Sequence, residues 1–266
     1  TDRLNLTSIT AFRRFDSFES FDADGTVAPV LWFAEDAEGD QFSQELRLNF
    51  TNQNNLSGFA GASFFYEKGF QRVPWETDER SLFALFTPFF ADFGVPFTPL
   101  VTENGQPFLW ETDPITGAPL KPFHMEEYTN FGENFAYEIF GDLTFSPTDK
   151  LDVTVGLRGT YEDITGGYEA PLAEDPGRLS YVLGGNTGNN LFIPTNGRAD
   201  VSETFTSAVG RVALNYDITS EVTLFGNIAR GRRPNVINVT ATDTTILDAE
   251  TVWSYEVRGK TLALRH

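Results

Sequence analysis

Polar and apolar residues alternate along most of this chain. In "QFSQELRLNF" (residues 41–50), Phe42, Gln44, Leu46, Leu48 and Phe50 share one parity, and Ser43, Glu45, Arg47 and Asn49 the other. Successive side chains on a strand point to opposite faces, so this segment reads as a β-strand with one mostly apolar and one polar face. The same period of two recurs in residues 2–15, 55–69, 133–146, 150–163, 203–218, 221–231 and 251–264, and predicts eight strands in all. The segment 150–163 is the clearest. Leu151, Val153, Val155, Leu157 and Tyr161 form one face, against Asp152, Thr154, Arg158, Thr160 and Glu162 on the other. Long helical periodicity is scarce.

The connections carry as much information as the strands. Residues 51–54, 147–149 and 219–220 read as tight polar turns of hairpin length. Between them lie long connections at 16–40, 70–132, 164–202 and 232–250, so long and short alternate strictly. In an antiparallel up-and-down meander, this order places every tight turn at one end and every long loop at the other. Soluble domains seldom carry this many long loops, whereas outer-membrane β-barrels have short periplasmic turns and long extracellular loops. Strands of about ten residues also suffice to cross a bilayer at a tilt.

The pattern therefore predicts an all-β, up-and-down transmembrane β-barrel segment. Leu143, Phe145, Leu151, Val153, Val155, Leu157, Val212, Leu214 and Tyr216 are expected to face lipid, and Glu45, Arg47, Asp152, Thr154, Arg158 and Glu162 a polar lumen. The alternative is a soluble, secreted β-domain that binds glycans through aromatic loops. Rings near strand ends, such as Phe65, Tyr66, Phe145, Tyr161 and Tyr216, suit interfacial girdles and suit an ordinary core equally.

Composition narrows the classes. The 266 residues carry a net charge of −19, which disfavours nucleic acid as a partner. Cysteine is absent, so no disulfide or thiolate metal site forms. No apolar run is long enough for a transmembrane helix, and Thr1 opens directly into polar, strand-like sequence, as in a mature chain or a piece of a longer one.

Catalytic constellations are missing. No G-x-S-x-G elbow occurs, and "GGNTGNN" (184–190) reads as a flexible loop tip rather than a phosphate loop. His124 and His266, the two histidines, are far apart, so no metal site is expected. Connection 16–40 holds eight acidic residues and no Lys or Arg. It reads as a solvated acidic loop, with divalent-cation binding as the functional alternative; "DADG" (22–25) lacks the further ligands of a calcium loop. Arg230, Arg232 and Arg233 form the one basic cluster, suited to phosphate or an anionic ligand, or to balancing acidic neighbours. The expected protein is not an enzyme and uses no cofactor.

Connection 70–132 is aromatic where loops are normally polar. Within residues 78–94, Leu82, Leu85, Phe86, Phe89 and Phe93 fall at helical spacing, interrupted by Pro88. This predicts one or two short helices packed over the barrel mouth. Trp75, Phe89, Phe90 and Trp110 are the candidate ligand-binding residues, because flat rings on loops suit aromatic chelates or sugar faces. Mutual packing of the rings is the plainer alternative.

Four stretches carry a family resemblance: "QFSQELRL", "YEIFGDLTFSPTDKLDVTVGLRGTYED", "VTLFGNIARGRRPN" and "AETVWSYEV". Together, over about residues 41–257, they resemble the barrel of TonB-dependent outer-membrane receptors of Gram-negative bacteria, in particular those associated with siderophore uptake. The resemblance implies a barrel of about 22 strands around a plugged lumen. Residues 1–266 would then be a partial barrel domain of about eight strands, open at two edges, with plug and closing strands outside it. "VRGKTLALRH" departs from the usual continuation after "SYEV". The implied function is active uptake of a scarce nutrient, such as an iron chelate or an oligosaccharide, across the bacterial outer membrane. The implied partners are the TonB system acting through the plug, lipopolysaccharide and membrane lipid.

Overall fold

A computed structural model of the chain describes residues 4–52, 55–183, 185 and 187–261. Its frame is one eight-stranded antiparallel sheet: β1 (Leu4–Asp22), β2 (Leu31–Asn52), β3 (Leu56–Thr77), β4 (His124–Thr148), β5 (Leu151–Glu169), β6 (Ala199–Thr219), β7 (Val222–Arg233) and β10 (Glu250–Thr261). Strands pair in chain order, β7 next to β10, because β8 (Val236–Val239) and β9 (Thr244–Leu247) form a separate hairpin inside the last connection. The sheet is open, with β1 and β10 at its edges. The expected up-and-down order and the turn–loop asymmetry both hold. Residues 53–54 of the first tight turn and 262–264 of the last expected strand lie outside the described residues.

Register fixes the faces. Leu143 pairs with Val155 and Phe145 with Val153, while Leu151, Val153 and Val155 pair with Tyr216, Leu214 and Val212. Directly paired residues share a face, so these side chains form one apolar surface, as the parity predicts. They are not covered by protein: Val155 is 44% exposed, Leu157 68% and Ile139 72%. The total accessible area of 16749 Å² far exceeds the roughly 11,600 Å² expected of a compact monomer of this mass. On the opposite, polar face, Glu138 accepts from Ser63 (2.9 Å) and Thr160 (3.2 Å), and Arg158 lies 3.7 Å away. Arg211 forks onto Asp142, with both bonds at 3.2 Å. Rings on this face are capped by cations: Arg47 sits 3.6 Å over Phe59 and Arg158 5.2 Å over Phe140.

Several of the expected boundaries are corrected. The strands run well past the apolar segments: β1 and β2 continue through most of connection 16–40, leaving a loop of residues 23–30 only. Its acidic residues are therefore largely strand residues, and several are paired, Asp36 with Arg72 (2.7 Å) and Glu38 with Arg14 (3.5 Å). β3 extends to Thr77, so Trp75 is a strand residue. Above the level of the apolar band a strand needs no apolar face, and alternation alone no longer reveals it.

The expected helix forms as α1 (Glu79–Phe86), capped by the Asp78 carboxylate, which accepts from Arg80 N at 2.9 Å. A 3-10 segment, Thr87–Phe93, continues it to Gly94, whose φ of 77° ends it in the left-handed region. The buried stripe differs from the expected one: Leu85, Phe89 and Phe93 are exposed, while Glu79, Leu82, Phe83, Thr87 and Phe90 are buried. That set also has helical spacing, but two polar members disguise it.

Candidate functional site

The main protein core lies in the loops rather than in the sheet. Ala28 and Val30 from loop 23–30, Leu82, Phe83 and Phe90 from α1 and its extension, Val95 and Leu120 beyond it, and Leu179 from loop 170–198 pack into one cluster. Phe90 stacks on Phe83 (5.5 Å, 7°), and Trp110 meets Phe83 edge-on at 5.6 Å. Three connections that the sequence separates thus form one cap at the loop end of the sheet.

Two buried carboxylates join this cap. Glu79 accepts from Lys121 N (2.9 Å), Arg178 N (2.6 Å) and Asn190 Nδ2 (3.0 Å). Glu126, on β4, accepts from the backbone N–H groups of Asn190 (3.1 Å), Leu191 (3.1 Å) and Phe192 (2.9 Å). His124 is buried beside it, with Nε2 3.4 Å from the Glu126 carboxylate. A carboxylate that accepts several backbone N–H groups makes charge-assisted bonds, the strong kind in a dry setting. The stretch expected as a flexible tip therefore ends in a joint. Asn189 and Asn190 are buried, and Asn189 bonds Ala173 N (2.8 Å) and Pro171 O (3.0 Å).

Beside the joint, on the polar face, lies an aromatic cage. Trp75 stacks on Phe33 (5.7 Å, 23°), and Tyr128 stacks on Tyr168 (5.8 Å, 23°). Phe192 enters between them, edge-on to Trp75 at 5.1 Å and to Tyr128 at 4.9 Å. Trp75 Nε1 is buried and has no hydrogen-bond partner among the described residues. Burial, and then the charge of Glu35, push the Tyr128 hydroxyl up from the ordinary tyrosine value. Burial, Tyr128 and Glu126 do the same to Tyr168.

A second concavity of about 570 Å³ lies toward the β8–β9 hairpin. Its floor is a row of four glycines, Gly39, Gly69, Gly132 and Gly166, paired across β2 to β5. A Cβ at Gly166 would stand 3.1 Å from Ile237 Cγ2, so the bare backbone is what lets the hairpin lie against the sheet.

The four candidate ligand residues are not brought together. Phe90 and Trp110 belong to the cap core, Phe89 is 76% exposed near Phe86, and Trp75 alone belongs to the cage. The sequence reading missed Phe192, Tyr128, Tyr168 and Glu126. Tyr128 and the glycine row carried a signal, since both sit at fixed parity on strands; Phe192 carried none. The basic cluster is spent locally: Arg232 pairs with Glu162 at 2.7 Å and Arg233 with Glu250 at 3.6 Å. In "DADG", Asp22 and Asp24 accept backbone N–H groups of their own turn. Among the described residues no group of three or more acidic or histidine side chains is placed to hold a metal ion, and no helix is long and apolar enough to cross a membrane, which says nothing of a β-barrel.

A family model described as "TonB dependent receptor-like, beta-barrel" matches residues 2–263. No curated protein matches the sequence. Among solved structures, the chain is similar in fold to the ferric yersiniabactin uptake receptor FyuA from Yersinia pestis, with a TM-score of 0.64 at 15% identity. The likeness covers 99% of this chain and 32% of that one, so the chain spans about a third of that receptor's length.

Proposed function

This chain belongs to the family of TonB-dependent receptor-like β-barrels, and from that premise we propose that it is part of the wall of an outer-membrane receptor. That receptor takes up a scarce small nutrient, a ferric siderophore or an oligosaccharide, driven by TonB through a plug outside this chain. The name of the similar Yersinia receptor supports the iron chelate.

One observation carries the membrane reading. Across β1 to β4, Phe12, Phe42, Tyr66 and Phe135 form a paired row of rings on the apolar face. Two residues toward the loops, Arg14, Asp40, Lys68 and Glu133 form a paired row of alternating charge on the same face, with Lys68 3.3 Å from Glu133. An abrupt change from rings to charges is what a lipid–water boundary selects. At the turn end, Phe50, Phe145 and Tyr216 supply the other ring level. Phe135 and Phe145 are ten residues apart on β4, roughly 33 Å along a strand and about 25 Å in height once tilted, the height of an outer-membrane apolar band. A soluble glycan-binding domain would need a layer over this face, and no described element provides one. The charged row is suited to the headgroup phosphates of lipopolysaccharide and their cations.

Fractionation of cells tests the reading. The native protein is expected in detergent-extracted outer membranes, as a band whose gel migration changes on boiling. Recovery as a folded monomer in detergent-free buffer contradicts it.

A further inference from the structure

We infer that the cage of Trp75, Tyr128 and Tyr168 is a binding site for a neutral, flat aromatic ring bearing a hydrogen-bond acceptor, and that Phe192 is the ring such a ligand displaces. The inference rests on the uptake reading and names the kind of group this wall would recognise.

Shape and polarity agree. Phe192 shows that a six-membered ring fits between Trp75 and Tyr128 in favourable edge contacts. It leaves one demand unmet, because it offers no acceptor to the buried Trp75 Nε1. Buried indole N–H groups normally have a partner. A carbonyl or ether oxygen on the entering ring would supply it. Charge sets the remaining condition. Glu126 is the direct cross-strand partner of Trp75 and acts on Tyr168, and Glu35 acts on Tyr128, while Arg72 projects from the opposite face of the sheet, where it pairs with Asp36 and Glu127. The cage therefore repels an anionic ring and accepts a neutral one.

Glu126 sets how firmly Phe192 is seated. Its carboxylate takes the N–H of Phe192 itself and of the two preceding residues, and it stands two positions from Tyr128 on β4. The strand that forms the cage wall thus also holds the displaceable loop.

The test uses the receptor purified from outer membranes in detergent, with benzamide as the neutral probe and benzoate as its anionic counterpart, titrated by ligand-observed NMR. Phe192→Ala is expected to raise benzamide affinity about tenfold by removing the competing ring. Adding Trp75→Phe, which keeps a ring and removes the donor, is expected to reverse about tenfold of that gain. Benzoate is expected to bind more weakly than benzamide throughout. Equal benzamide affinity in the wild type, Phe192→Ala and the double variant overturns the inference, as does tighter binding of benzoate. Heat-modifiable migration of each variant reads barrel assembly separately. A correctly assembled receptor without these affinity changes overturns the cage alone, whereas a wild-type protein that never reaches the outer membrane overturns the uptake reading and the inference with it.

Discussion

Val155, paired with Leu143 and Val212 on the apolar face, makes the simplest energetic statement. If that face meets hydrocarbon, Val155→Arg buries a charge near the bilayer midplane and costs about 2–4 kcal/mol in reversible urea unfolding from liposomes. No loss would mean that the face is not buried. Arg232 and Glu162 give the complementary case on the polar face, since their side chains are only 10% and 7% exposed and 2.7 Å apart. Arg232→Met is expected to cost about 3–5 kcal/mol by stranding the carboxylate, and much of this should return in the double variant with Glu162→Gln. Residue by residue, the facing of Val155 was legible because a period of two leaves no choice of side. The pairing of Arg232 with Glu162 was not, because it joins β7 to β5 across the intervening β6.

Elements beyond the apolar band are where local chemistry decides. Loop 23–30 is organised by Asp24, which accepts from Thr26 N (2.9 Å), Thr26 Oγ1 (2.6 Å) and Leu31 N (3.1 Å). Burial pushes this carboxyl up, but the bonds from Thr26 and Leu31 outweigh it, and its pKa is lowered. A carboxyl lowered on folding stabilises the loop above its unfolded pKa, and that contribution is lost as pH falls through the lowered value. Proteolysis of this loop should therefore rise in acid, and Asp24→Asn should remove the acid dependence. At α1, Asp78→Ala removes both the cap and the ion pair with Arg80 (2.8 Å), and should lower the melting free energy of the cap by roughly 1 kcal/mol. The helix was legible from Asp78 and Gly94, its start and stop. Its buried face was not, because Glu79 and Thr87 occupy it as polar residues satisfied by partners far along the chain: Lys121 N, Arg178 N and Asn190 for Glu79, and Thr98 N for Thr87. The outer halves of β1 and β2 were hidden for a related reason, since "DSFESFD" spaces its rings by three on a strand that has polar residues on both faces.

For the whole molecule, the central claim is that one face of the sheet is solvated by lipid and the other by water, with the loop cap above. The order of the eight sheet strands was legible from the alternation of long and short connections, whereas the β8–β9 hairpin inside the last of them was not. The cap was legible as an aromatic connection with a short helix over the mouth, but not as an assembly, because what builds it is three connections meeting, which no local pattern encodes. The most direct test places nitroxide spin labels one at a time along β5 and β6, at Val153, Thr154, Val155, Gly156, Leu157 and at Val212, Ala213 and Leu214, with the receptor in liposomes. The account predicts a strict period of two. Labels at Val153, Val155, Leu157, Val212 and Leu214 should collide more with oxygen, which partitions into lipid, and those at Thr154, Gly156 and Ala213 more with a water-soluble nickel chelate. Loss of the alternation, or equal access of the nickel chelate to both sets, would contradict it.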